Sequence, residues 1–186
     1  TGEPPLQQLA LLDRINRRHL ADHPSDGYLA ARIASYELAA RMQLSAREVL
    51  DVSRESQATQ ELYGLNDNTT RRHAEAFLIA RRLVERGVRF VQIWDYGWDM
   101  HENINEVLPK KCLTADKPTA GLIRDLKSRG MLDTTLVHWG GEMGRLPVIQ
   151  GRAGKPGRDH NTDGFSIWMA GGGLKRGHVH GATDEF

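Results

Sequence analysis

The second part of the chain alternates helical and strand-like segments, and this alternation restricts the fold more than any other feature. Residues 69–86 carry apolar side chains at helical spacing and end at Gly87, a residue suited to a helix C-terminus. A β-branched and aromatic run follows at 88–95, then a helical pattern at 117–129, and then a second strand-like run at 134–139. Strands joined through helices are typical of parallel sheets, because right-handed crossovers return the chain to the same edge. The sequence therefore predicts an α/β fold with a partial, mostly parallel sheet flanked by helices.

The N-terminal third of the chain has a helical pattern throughout. Residues 4–21 and 28–44 each repeat apolar side chains at helical spacing, with turn-forming residues between them. Residues 45–48 have the spacing of a capping box, which predicts that a third, short helix begins there. We therefore expect a helical segment over residues 1–66 that packs on an α/β core over residues 67–186, within one domain overall.

A glycine-rich segment follows the strand-like run at 134–139 and contains Glu142 and Arg145. Glu142 is expected just beyond the carboxyl end of that strand, where the loops of an open α/β sheet converge on ligands. Glycine permits positive φ angles and a close approach of the backbone, which suits a turn beside an ion. Taken alone, the segment is explained equally well as an ordinary turn with two exposed charged side chains.

A second polar cluster comes directly after the strand-like run at 88–95. It contains Asp99 and His101, which are two residues apart, so their side chains point the same way in an extended segment. Carboxylate and imidazole groups are the usual ligands of a catalytic zinc or manganese ion. An isolated Asp-x-His pair is nevertheless more often a surface pair or a satisfied core pair than a metal site.

The third polar cluster, Arg158, Asp159 and His160, precedes a strand-like run at 165–170. A lone histidine in such a position is commonly hydrogen-bonded to backbone. Three polar clusters at the ends of three predicted strands are better explained by one shared site than by coincidence. We therefore predict that residues from all three clusters converge around a cation.

Two motifs connect the chain to a known family. They are Gly-Gly-Glu-x-Gly-Arg at 140–145 and Gly-Arg-Asp-His at 157–160, and they are specific in combination. With the sequence around them, they resemble the bacterial domain-of-unknown-function 1501 family, whose members are often described as sulfatase-like and related to the alkaline phosphatase superfamily. Upstream segments such as 11–20 and 80–94 resemble the same family, so the resemblance covers nearly the whole chain.

The resemblance implies a two-metal hydrolase scaffold, in which divalent ions flank a phosphoryl or sulfuryl group. The implied metal ligands are Asp99, His101, Glu142, Asp159 and His160. In this scheme Glu142 replaces an aspartate at the second metal, and Asp159 is either a ligand or an orienting partner. Arg145 and Arg158 would grip anionic oxygens, because a planar guanidinium matches such groups with two hydrogen bonds. The implied cofactor is zinc, manganese or calcium, and the implied substrate is a small anionic ester, with glycan-linked esters among the alternatives.

The chain departs from the family pattern in two places. Relatives carry an Asn-His pair where this chain has Glu-Val-Leu-Pro at 106–109, so one metal position is altered or empty. The superfamily takes its nucleophile from the first strand of the sheet, and no strand is predicted before the first helix here. We therefore expect a fragment that does not turn over substrate by itself. Family members often carry twin-arginine export signals, so the resemblance also points to the periplasm or surface of a bacterium.

Composition excludes several classes of partner. The formal net charge is only +1, which provides no field to attract nucleic acid. No apolar run approaches the roughly 20 residues needed to cross a bilayer. Cys112 is the only cysteine, so an internal disulfide is impossible. Trp98 lies in a predicted loop and is the best tryptophan for stacking on a sugar, although aromatic residues near strands are more often core.

The sequence leaves a second class of function open. In this alternative the chain is a noncatalytic binding or structural module, and its charged clusters form only salt bridges. A metal-dependent hydrolase requires bound metal at the three clusters, whereas a module requires none. The oligomeric state cannot be predicted from these patterns.

Overall fold

The computed structural model describes residues 6–183, except for the side chains of residues 6–9 and 39–47. The chain divides between Asp51 and Val52 into two compact units, so the sequence-based boundary near residue 66 falls inside the second unit. Within the described residues, no helix is both long and apolar enough to cross a membrane.

The first unit is built from two helices, α1 (Leu6–Asp22) and α2 (Gly27–Leu50). They correspond to the two predicted helices, with Asp26 Oδ1 accepting a hydrogen bond from the backbone of Leu29 at the start of α2. The predicted third helix at 45–48 is wrong, because α2 continues through those residues. A capping-box serine acts as a cap only where the backbone leaves helical geometry, and the surrounding Ala, Arg, Glu and Leu residues favour continuation of the helix.

The second unit contains three α-helices, α3 (Gln57–Tyr63), α4 (Arg71–Glu85) and α5 (Ile104–Ser128). Helix α4 matches the predicted helix at 69–86, and Gly87 follows it with a φ of 87°. Helix α5 begins well before the predicted position at 117 and contains Pro109 and Pro118 in its interior. An interior proline removes a backbone hydrogen bond, but Pro118 is fully buried, so tertiary packing outweighs that local cost here.

The apolar core of the second unit lies between these three helices. Its buried members are Tyr63, Leu65, Ala74, Phe77, Leu78, Leu122 and Leu126. Helices α3 and α5 approach closely at Gly121, where an added Cβ atom would lie 2.8 Å from the carbonyl oxygen of Leu62. Val137 and Trp139 pack against the edge of this core, which anchors the strand that precedes the polar loops.

A network of charged side chains is buried beside the apolar core. Arg81 is only 2% exposed, and its guanidinium lies 2.7 Å from Glu55 Oε1 and 3.0 Å from Asp125 Oδ2. Tyr63 donates a hydrogen bond of 3.0 Å to the same Asp125 oxygen. Burial opposes the charge of Glu55, but hydrogen bonds from Arg81 and Arg82 outweigh it and hold the pKa of that carboxyl below its usual value. The network therefore ties α4 and α5 together through charged partners.

The strands of the second unit form three two-stranded antiparallel ladders. Strand β1 (Leu136–Trp139) pairs with β6 (Trp168–Gly171), β2 (Gly144–Arg145) with β5 (His160–Asn161), and β3 (Gln150–Arg152) with β4 (Lys155–Gly157). The structure is thus composed of helices and small antiparallel sheets, and the predicted mostly parallel sheet does not occur within residues 6–183. No crossover helix separates β1 from β6, and an antiparallel pair does not need one.

The predicted strand at 88–95 forms no ladder with any described residue. Its side chains still alternate as in a strand. Val91 and Ile93 are half-buried, whereas Phe90 and Trp94 are exposed. The segment places Ile93 against the core and leads directly into Asp99 and His101.

Candidate metal centre

Two of the three polar clusters are held side by side by the ladder between β2 and β5. In its register Arg145 lies opposite His160, and Gly144 lies opposite Asn161. The backbone N–H of Leu146 extends this pairing by donating to the carbonyl oxygen of Asp159 at 2.8 Å. The two motifs are therefore neighbours across a ladder, although they are separated in the sequence.

The remaining polar cluster, which contains Asp99 and His101, is attached by the hairpin of β3 and β4. The backbone N–H of Arg158 donates to the carbonyl oxygen of Met100 at 3.0 Å. Gly157 lies so close to the backbone of His101 that an added Cβ atom would be 2.0 Å from its carbonyl oxygen. The absence of a side chain at Gly157 is what allows this approach.

The side chains of the three clusters meet around Asp99. Nε2 of His101 lies 2.8 Å from Asp99 Oδ1, and Nε2 of His160 lies 3.3 Å from the same oxygen. His160 Nε2 is also 3.1 Å from Glu142 Oε1. Asp99, His101 and His160 each offer one ligand atom, and these atoms lie within 4.8 Å of one another. The structure therefore brings together residues from all three sequence clusters.

The opposite edges of the two imidazole rings contact different partners. Nδ1 of His101 lies 2.7 Å from Gln150 Oε1, and Nδ1 of His160 lies 3.4 Å from Asp159 Oδ1. Each ring thus has oxygen atoms beside both of its nitrogens, and a neutral ring with its proton on Nδ1 would leave the Nε2 lone pair free for a cation. Asp159 therefore contacts His160 on the side opposite to Asp99 and Glu142.

Gln150 was not among the residues predicted from the sequence. It lies on β3, and only the β3–β4 hairpin brings it next to His101. Glutamine is a common surface residue and its neighbours form no recognisable motif. Its role as a partner of His101 is visible only once the fold is known.

The charges of the site favour a cation. The hydrogen bond that Nδ1 of His101 donates to Gln150 Oε1, together with the carboxylates of Asp99 and Asp159, raises the pKa of His101. The backbone N–H of Glu142 itself and the Arg145 guanidinium lower the pKa of the Glu142 carboxyl. The pKa of Asp159 is lowered by the backbone N–H and ring of His160. Glu142 and Asp159 therefore carry negative charge at neutral pH.

The two arginines predicted to bind anions differ in their surroundings. Arg145 donates from Nη2 to Glu142 Oε1 at 2.9 Å, and its Nη1 lies 3.3 Å from Asp99 Oδ1. In both arginines Nη1 is buried and has no hydrogen-bond partner among residues 6–183, and Arg158 also has no ion pair among those residues. A buried charged donor without a partner is costly, and an anionic oxygen would satisfy it.

The site is open to solvent. The side chains of Asp99 and Glu142 are each 55% exposed, and that of His160 is 32% exposed. An ion or a small ester can therefore reach the ligand atoms without a large rearrangement. Trp98 is less available, because its ring stands edge-on to Trp139 at a centroid distance of 5.8 Å.

Replacement of Gly157 by alanine should disrupt the junction between the hairpin and His101. The added methyl group would collide with backbone atoms of His101. Backbone atoms cannot move aside as easily as the end of a flexible side chain. We expect the free energy of unfolding to fall by about 1–3 kcal/mol, the usual range for overpacking. Urea denaturation of the purified chain measures this change.

Gly141→Ala is the matched control for Gly157→Ala. Gly141 also lies in the polar loops, but its nearest contact would be the carbonyl oxygen of Met143 at 3.4 Å. This variant should unfold close to the wild-type midpoint. Equal stability of the two variants would show that the close approach of Gly157 to His101 is absent in solution.

Comparison with known proteins gives one match. The family model described as "Protein of unknown function (DUF1501)" matches residues 3–186. No curated protein and no solved structure matches the chain.

Proposed function

The chain belongs to the DUF1501 family, and we propose that it carries the metal centre of a sulfatase-like hydrolase for anionic esters. The observation that carries the proposal is the convergence of two imidazoles on one carboxylate. Nε2 of both His101 and His160 faces Asp99, and Glu142 lies beside His160. Two such nitrogens beside two carboxylates form a donor set for a divalent cation.

The chemistry of the donor set favours zinc or manganese over calcium. Calcium prefers a shell made of oxygen atoms, whereas imidazole nitrogen suits transition metals and zinc. Asp99, His101 and His160 would hold the ion, with Glu142 as a further ligand. When bound, the ion would supply Lewis acidity toward a phosphoryl or sulfuryl oxygen.

The remaining residues of the site would orient ligands and bind the anion. Gln150 and Asp159 hold the histidines from their Nδ1 sides, which directs Nε2 toward the proposed ion. Arg145 borders the carboxylates, and Arg158 has a buried Nη1 with no partner among the described residues. Both guanidinium groups suit the oxygens of a phosphate or sulfate ester.

A noncatalytic module is the second candidate function, and one observation favours it. Asp99, His101, Glu142, Arg145 and His160 already pair with one another at distances of 2.8–3.3 Å. Such a set of ion pairs can stabilise loops without any metal. The two functions differ in a measurable property, because only the metal centre binds an anion more tightly once a metal is present.

Measuring the binding of zinc, and then of inorganic phosphate, distinguishes the proposed metal centre from the noncatalytic module. None of the site residues named above provides a hydroxyl or thiol nucleophile, so binding is the appropriate readout for this chain. We expect chelator-treated protein to take up zinc, and the zinc-loaded protein to bind phosphate about tenfold more tightly or better than the metal-free protein. Calorimetric titration measures both steps. Failure to bind zinc at micromolar concentration would favour the noncatalytic module.

A further inference from the structure

A second group of charged side chains surrounds Asp95, which shortly precedes the proposed metal ligand Asp99 in the chain. Oδ1 of Asp95 lies 3.0 Å from His73 Nε2 and accepts a hydrogen bond of 2.8 Å from Lys111 Nζ. Oδ2 accepts a hydrogen bond of 2.7 Å from Trp98 Nε1. The donors come from α4, from α5 and from the segment itself. Asp95 thus connects the irregular segment 91–100 to two helices.

Lys111 makes further contacts along the same segment. Its Nζ donates to the carbonyl oxygen of Tyr96 at 2.7 Å and lies 5.4 Å from the centre of the Trp98 ring. Between them, Gly97 has a φ of 90°, and a Cβ atom there would lie 3.8 Å from the Lys111 stem. Lys111 therefore contacts or borders every residue from Asp95 to Trp98, and Asp99 follows directly.

These contacts are partly shielded from water. The side chains of Asp95 and Lys111 are 20% and 19% exposed, and that of His73 is 15% exposed. Burial opposes the negative charge of Asp95, yet the hydrogen bonds from Lys111, Trp98 and His73 outweigh it and lower the pKa of its carboxyl. A shielded pair with several hydrogen bonds is held more firmly than a surface pair.

We propose that Lys111 and Asp95 are positioning residues that hold residues 95–98 so that Asp99 and His101 face His160. The inference rests on the proposed metal-binding function. The segment from 91 to 100 has no regular secondary structure, so backbone ladders do not define its path. The polar atoms of Lys111 and Asp95 form their contacts within the cluster around Asp95. The two residues would act on Asp99 and His101 through the backbone that lies between. Partners that contact a metal ligand directly typically change metal affinity by about 10–100-fold, and residues that act through backbone are expected at the low end of this range.

Lys111→Met tests this role, because methionine keeps the apolar stem and removes the ammonium group. We expect zinc affinity to fall by about tenfold in calorimetry, and the visible absorption of bound cobalt to change in shape. Lys111→Arg retains a donor to Asp95 and should restore most of the affinity. Unchanged affinity and an unchanged cobalt spectrum in Lys111→Met would overturn the proposal.

Arg129→Met is the matched control, because Arg129 is the C-cap residue of the same helix. Arg129 also forms ion pairs, to Asp125 at 2.7 Å and to Glu85 at 3.0 Å, but these lie at the other end of α5. Its loss should destabilise the fold while leaving zinc affinity within about twofold, as for uncoupled sites. A similar loss of affinity in both variants would show a general effect of stability and contradict positioning.

Exchange of the Trp98 indole N–H separates this proposal from the metal function. If the wild-type chain binds no zinc, the proposed function fails, but this N–H, which donates to Asp95 at 2.7 Å, still reports how residues 95–98 are held. We expect its exchange, followed by NMR, to be faster in Lys111→Met than in the wild type, and unchanged in Arg129→Met. Equal exchange in all three proteins would overturn the positioning role, whether or not zinc binds.

Discussion

Replacement of His160 by glutamine is expected to weaken zinc binding by about 100-fold or more. Nε2 of His160 lies 3.1 Å from Glu142 Oε1 and 3.3 Å from Asp99 Oδ1, so this ring connects both carboxylates. Loss of an outer-shell partner already costs about 10–100-fold in metal affinity, and loss of a direct ligand should equal or exceed that. Glutamine preserves polarity and approximate size but is a poor zinc ligand. Calorimetric titration of chelator-treated protein measures the change.

His178→Gln is the appropriate control for the His160 variant. His178 is exposed, and its ring lies 6.3 Å from that of His180, outside the proposed centre. Two exposed histidines close together can bind zinc adventitiously. The control therefore shows whether zinc binding at His178 and His180 contributes to the measured titration. We expect His178→Gln to retain the affinity of the wild type. If instead both variants bind zinc like the wild type, the cluster at His160 is a set of salt bridges only.

Replacement of Arg81 by methionine is expected to lower the free energy of unfolding by about 3 kcal/mol. Removal of one partner from a buried ion pair generally costs about 3–5 kcal/mol, because it leaves an uncompensated charge. Arg81 is almost fully buried and bridges Glu55 and Asp125. Arg82 and Arg129 still contact these two carboxylates, which places the expected loss at the lower end of the range. Urea denaturation followed by circular dichroism gives the value.

Arg71→Met is the matched control on the same helix. Arg71 forms an ion pair with Glu75 at 3.2 Å, but its side chain is 62% exposed. Exposed pairs of this type contribute about 0.5 kcal/mol or less, so little change is expected. Comparable losses of unfolding free energy in Arg81→Met and Arg71→Met would mean that water reaches the network around Arg81, so that its ion pairs behave like exposed ones. Zinc affinity should stay near the wild-type value in both, since neither arginine belongs to the metal centre.

Local patterns predicted the helices better than the strands. The helix at 69–86 and its glycine stop follow from nearby residues alone, and α4 with Gly87 agrees with them. The start of α5 was placed too late, because Pro118 suggested a first turn while its burial stabilises an interior position. Strand pairing was predicted as parallel, yet β1 and β6 are antiparallel. Pairing depends on contacts between residues far apart in the chain, which local periodicity does not encode.

The chemistry of the site was visible in residue types, whereas its geometry was not. Asp99, Glu142 and His160 were recognisable as possible ligands from their types and their place beside strand-like runs. The sequence could not show that Gln150 would hold His101, or that Asp159 would lie behind His160. Nor could it show that Lys111 reaches the segment before Asp99.

The amino-acid sequence by itself determined the helical segments, the glycine-rich polar loops and the kinds of ligand atom that those loops contain. These properties depend on the preferences of single residues and their near neighbours. Only the tertiary structure decided which side chains share one centre, because short antiparallel ladders join Arg145 to His160, and a close backbone contact joins Gly157 to His101. Distances between residues remote in the chain arise from packing of the whole unit, and no local pattern specifies them.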